Sequence, residues 1–186
     1  LPEDKRWAAN LYGKSRRHSD ALRQGLCETL VLLSVHGDNL FKARLGFDVD
    51  NNVSRLIRSL LTPLDPHTWQ SQQHDLPRYA EAAPETFLDI LEQDLELDDP
   101  KVHALMQPVD PGGFSSPGRT GLLWALETLA WNPQWLARVV VVLGKLAELK
   151  ITDNWANRPD NSLGSIFRSW MPQTSATLEE RIDSLE

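Results

Sequence analysis

The chain reads as all-α. Three observations predict this: apolar residues recur at three- and four-residue spacing along nearly the whole length, no segment alternates apolar and polar convincingly for five residues, and no Asn-Gly or Asp-Gly hairpin signal occurs. Short connections between the predicted helices make antiparallel neighbours the expected packing.

Leu22, Leu26, Leu30 and Leu33 form the first stripe, with Ser19 placed to cap its start. Val53, Leu56, Ile57, Leu60 and Leu61 form the second, stopped by Thr62-Pro63. Pro84, Phe87, Leu88, Leu91 and Leu95 line the third. Leu122, Leu126 and Leu129 line the fourth, widened by Leu123 and Ala130. Asn132-Pro133 then supplies an N-cap followed by proline at the first helical position. Trp135, Leu136, Val139, Val142, Leu143, Leu146 and Leu149 follow in helical register. The run VVVV (139–142) favours a strand by propensity alone, but the upstream cap and the downstream 3.6-residue period assign it to a central helix.

Near the C-terminus, Leu163, Ile166, Phe167 and Trp170 fall at i, i+3, i+4 and i+7. They predict a short helix capped by Asp160 or Asn161, ended by Met171-Pro172, with Trp170 packed near Leu143 or Leu146 of the long helix before it. Thr177 and Glu180 have capping-box spacing for a last helix.

The chain has 186 residues, 41% of them apolar and 24% charged, which suits one globular domain or a short run of repeats. We read 1–186 as a single domain excised from a longer protein, since it starts without methionine and stops inside a helical pattern. The Gly/Pro/Ser-rich stretch 107–121 is the place for a sub-boundary. The longest apolar run is five residues, Val139–Leu143, far short of a membrane span, and no signal peptide opens the chain. The single cysteine, Cys27, allows no internal disulfide and lies among apolar neighbours, which predicts a buried, inert thiol and a reducing, cytoplasmic setting.

A net charge of −7 opposes general binding to nucleic acid or anionic membrane. The charge is uneven. Residues 1–45 hold eight Lys/Arg against five Asp/Glu, and residues 76–105 hold two against eight. The basic patch Lys14, Arg16, Arg17 and Arg23, beside His18, is the one nucleic-acid-like footprint, but it lacks aromatic interleaving. GKS (13–15) has Ala8 where a phosphate loop needs its first glycine. The five histidines show no ligand spacing, so no metal or cofactor is expected. Glu85, Asp89 and Glu92 share one helix face, either solvated or awaiting a basic partner, with no His, Lys or Ser nearby to complete a catalytic set.

The least bland stretch is DNWANRPDNSLGSIFRSWMPQTSAT (153–177). Its asparagines suit loose backbone groups, Trp155 suits covering a turn, and Arg158 or Arg168 can hold helix-end carbonyls or stack on a Trp ring. A structural corner is the leading reading, and an interaction hot spot made by Arg158, Arg168, Trp155 and Trp170 is its rival.

YAEAAPETFLDIL (79–91) and LAWNPQWLARVV (129–140) echo one another, each ending a helix and starting the next with proline, with Pro84 and Pro133 49 residues apart. With these, LLWALETLAWNPQWLARVVVVLGKLAEL and NRPDNSLGSIFRSWMPQTSATLEER resemble a segment found in very large bacterial helical-repeat proteins, over residues 76–186. Such proteins often couple a P-loop NTPase region to a helical array, and some, of the STAND type, are thought to sense phage components. The resemblance implies a sensor or scaffold segment and carries over no catalytic residue.

The expected architecture is therefore an all-α array of antiparallel helix pairs, either solenoid-like (HEAT/TPR-like) or a compact right-angle stack. The expected function is non-catalytic protein interaction or scaffolding, with a protein partner or the parent chain's other domains. A nucleic-acid-binding helical domain using the basic N-terminal patch is the alternative, and an all-α hydrolase using the acidic helix face is a third.

Overall fold

The computed structural model describes residues 11–14, 18–108 and 117–185, and among them there are helices and no strand. They are α1 (Asp20–Leu45), α2 (Val49–Leu61), α3 (Pro66–Ser71), α4 (Leu76–Ala82), α5 (Pro84–Leu95), a 3-10 helix (Lys101–Met106), α6 (Arg119–Ala130), α7 (Pro133–Ala147), α8 (Pro159–Ile166) and α9 (Leu178–Asp183).

Local chemistry sets most of these boundaries. The Ser19 side chain accepts the Leu22 amide, Asp65 that of Thr68, and Asn132 that of Gln134, each satisfying a first-turn donor. Thr177 and Glu180 form the full capping box of α9. Gly46 ends α1 at φ 75°, a left-handed conformation that a residue with a Cβ resists. Proline occupies the first turn of α3, α4, α5, α7 and α8, where its missing N–H leaves no intrahelical bond unmade.

Packing follows a plain rule. α1–α2, α4–α5 and α6–α7 are successive helix pairs; α1 lies against α4 and α4 against α6, while α2 lies against α5 and α5 against α7. Like helices thus stack on like, in two layers. α8 covers α7 and α6, and α9 touches α7. One continuous core runs from Cys27 to Ala176, with Ile57, Trp69, Leu76, Phe87, Leu126 and Val139 wholly buried. At Gly121 an added Cβ would collide with the Gln73 carbonyl in the turn before α4, so α6 needs glycine there to pack this closely. VVVV is helical and lies in α7, with Val139, Val140 and Val142 buried.

Three expectations need correction. Leu22 and Leu26 are 50% and 59% exposed, so the buried side of α1 is the one carrying Cys27 and Gly37. A 26-residue helix with leucines on several faces does not reveal which one meets the core. α8 starts at Pro159 after Arg158, leaving Asp160 and Asn161 inside its first turn, and it ends at Ile166, not at Met171-Pro172. Trp170 is 82% exposed, away from Leu143 and Leu146. The helix stops too early to carry the i+7 register, and the chain folds back so that the Gln173 amide donates to the Ser165 carbonyl.

Candidate functional site

The stretch 151–177 divides into two places at the two ends of α8, a helix spanning roughly 12 Å. At its N-terminal end lies a built corner. Arg119, fully buried, donates from Nε to the Asn157 carbonyl and from Nη2 to Asp153 Oδ1, both at 2.6 Å. Asp153 Oδ1 also accepts the Trp155 amide at 3.1 Å, and Asn157 Nδ2 donates to Thr120 Oγ1 at 3.2 Å. Arg158 Nη2 donates to the Ile151 and Asp153 carbonyls at 2.9 and 2.5 Å. Asn161 Nδ2 donates to the Ala156 carbonyl, and Ser162 Oγ reaches Glu127 at 2.6 Å. Arg158 therefore holds backbone carbonyls, and Trp155, held through its amide by Asp153, is 41% exposed.

The C-terminal end is different. The Arg168 guanidinium lies 5.8 Å from the centre of the Trp170 ring, a cation–π distance, and the next residue, Met171, is 63% exposed. Arg181 Nη1 donates to the Arg168 carbonyl at 3.4 Å, tying α9 to this segment. An aromatic ring left in water with a guanidinium across it presents an open, planar apolar surface. The four candidate residues are thus split between a structural corner (Arg158, Trp155) and an open face (Arg168, Trp170).

The basic patch is not assembled by the described residues. Lys14 is exposed, Arg23 is ion-paired to the buried Asp75, and Arg16 and Arg17 lie outside the described residues, as does Ser15 of GKS. Cys27 is buried beside Tyr79; burial, then the Asp75 charge, push its thiol above the ordinary range and keep it protonated at neutral pH.

The acidic helix face has its basic partner within the chain. Arg138 of α7 bonds Glu92 through Nε at 2.8 Å and Nη2 at 2.6 Å, and Asp89 through Nη2 at 2.9 Å; Arg58 of α2 reaches Asp89 at 3.1 Å. This network crosses three helices, and the Glu92 and Asp89 carboxylates hold the Arg138 proton more tightly than water does. Asp94, from the same acidic run, accepts the Lys101 and Val102 amides and so starts the 3-10 helix.

One further feature escapes a reading of the sequence, and a second is a sequence spacing that the structure closes off. Asp38, Asp48 and Asp50 bring carboxylate oxygens within 4.8 Å of one another at the α1–α2 turn. Asp38 accepts the Val49 and Asp50 amides, and Lys42 is ion-paired to Asp38 and Asp48, so an ammonium stands where a cation would. Gly113, Gly118, Arg119 and Thr120 have phosphate-loop spacing with arginine in the lysine's place, but Arg119 is sealed in its pair with Asp153. No family model matches the chain, and comparison with curated proteins and with solved structures finds no match either.

Proposed function

We propose that the chain is a non-catalytic protein-interaction or scaffolding segment of a larger bacterial helical-repeat protein, working in the cytoplasm. Trp170, 82% exposed beneath the Arg168 guanidinium, carries this reading. A tryptophan with so little burial contributes almost nothing to folding, and Trp and Arg are both among the residues enriched in binding hot spots. The stacking of helix pairs α4–α5 on α6–α7 supports the repeat reading, because the two echoed sequences fall on equivalent helices. Among the described residues, no helix is long and apolar enough to cross a membrane.

The nucleic-acid alternative loses Arg23 to Asp75, which leaves Lys14 as the exposed cation of the patch among the described residues. A photo-crosslinking residue at position 170, expressed in a bacterial host, should give a discrete protein adduct. The same residue at Leu97, 54% exposed on another part of the chain, should give none. Identical smears at both positions, or adducts to nucleic acid alone, would sink the interaction reading.

A further inference from the structure

We infer that the outer face of the α1–α2 pair is a dimer interface, occupied by the same face of a second copy of this chain. The inference deepens the interaction reading but stands on a different surface from Trp170. Among the described residues, every other pair in the stack is covered on both sides: α4–α5 lies between α1–α2 and α6–α7, and α6–α7 is covered by α8. Among those same residues, α1–α2 has a neighbour on one side only.

Its open side is apolar. On α1, Leu22, Leu26, Thr29, Leu33, His36 and Leu40 repeat with 4-3-4-3-4 spacing, the seam of a helix that packs on another helix. Most of this seam is open: Leu22, Leu26 and Leu40 are 50%, 59% and 67% exposed, while Leu33 is partly buried against the core. An added Cβ on Gly37 would meet Val49 at 2.5 Å, which fixes the sides on which α1 and α2 face each other. Leu56 and Leu60, 44% and 37% exposed, share the edge of α2 that carries Val49 and Val53, and so extend the α1 seam sideways.

Two arguments select a second copy as the occupant. The first is area. Five half-open leucines on two adjacent helices supply several hundred Å² of apolar surface, close to the apolar share of the ~800 Å² that each partner of a standard interface buries. The second is symmetry with charge. Because α8 covers the far end of the stack, a head-to-tail copy finds no matching open pair, whereas a two-fold arrangement matches this face to itself. In the antiparallel register, Leu40 of one copy meets Leu22 of the other. A parallel register would set Arg44 against Arg44 and His36 against His36. The seam itself carries no Asp, Glu, Lys or Arg for a partner to bury.

Sedimentation of the 186-residue chain should give twice the mass of one chain at micromolar concentration. Leu26→Glu with Leu40→Glu should reduce it to one, with an unchanged far-UV spectrum because both side chains are already open. As a second measurement, Leu22→Cys with Leu40→Cys should form a disulfide-linked dimer on oxidation, while either cysteine alone should not. Within one chain these positions lie roughly 27 Å apart along α1, too far to close a disulfide. A monomer at that concentration, a dimer untouched by the glutamates, or crosslinking by each single cysteine would overturn the proposal. A monomer that instead captures an added helical hairpin from another protein would reassign the face to that partner.

Discussion

Asp153 and Arg119 form an ion pair whose side chains are 5% and 0% exposed, and the loop 151–158 is hung from it. Removing one partner strands the other charge away from water, which typically costs ~3–5 kcal/mol. Asp153→Ala should therefore lower the unfolding free energy by about that much, while Arg58→Ala, breaking a half-exposed pair, should cost under ~1 kcal/mol. Urea denaturation of both variants checks the contrast. Tryptophans make a parallel pair. Trp69, wholly buried with Nε1 donating to the Leu61 carbonyl at 3.0 Å, should lose ~3–5 kcal/mol on change to alanine. Trp170→Ala should stay within ~0.5 kcal/mol of the parent, as surface changes do. The carbonyl-holding role of Arg158 is legible in its loop setting. The roles of Arg119 and Arg138 are not, because Asp153 is 34 positions from Arg119, and Glu92 and Asp89 are 46 and 49 from Arg138. No local pattern encodes a partner at such separation. Trp170 misleads for a related reason: its i+7 spacing is real, but the helix that would use it ends at Ile166.

Helix ends are the most readable elements, since a cap is written within four residues of itself. Ser19, Asn132 and the Thr177–Glu180 box all stand where their spacing puts them. Asn132→Ala removes the acceptor for the Gln134 amide and should cost ~1 kcal/mol, measured as a shift in the denaturation midpoint. The Asp65 cap adds a pH signature. Bonds from the Thr68 hydroxyl and amide hold its carboxyl below the usual range, so its contribution is present above the unfolded value and is lost as pH falls through the lower folded one. Asp65→Ala should thus lower the midpoint at neutral pH and converge with the parent in acid, below about pH 4. A constant offset down to the lowest pH would contradict that role. What an element shows its neighbours is less readable than where it ends. α1 carries leucines around much of its circumference, and the buried face is the one where Gly37 admits Val49 of α2 and Cys27 meets α4, which leucine spacing does not mark.

At the scale of the molecule, the sequence carries the all-α class in its period and hints at the stacking through the echo around Pro84 and Pro133. It also marks 107–121 as a place for the chain to divide, because Gly, Pro and Ser gather there. Composition reports how a segment is built, not what crosses over it. The α4–α6 contact, flanked by Gly121 set against the Gln73 carbonyl in the turn before α4, joins the helices before that stretch to the helices after it, and Arg138 joins α7 to α5 on the opposite layer. A core shared across both contacts leaves neither side an apolar interior of its own, so opening one exposes the other. The prediction is a single unfolding transition. Trp69→Ala, before the stretch, and Leu143→Ala, after it, should each move the whole urea curve, seen alike by far-UV signal and by tryptophan emission. Two separable transitions, with each variant shifting only its own, would mean that 107–121 divides the chain into two folding units. Gly121→Ala sharpens the test, because its Cβ has no room against a backbone carbonyl and the α4–α6 contact must open to admit it. If the stack folds as one body, that methyl group should destabilise both ends together.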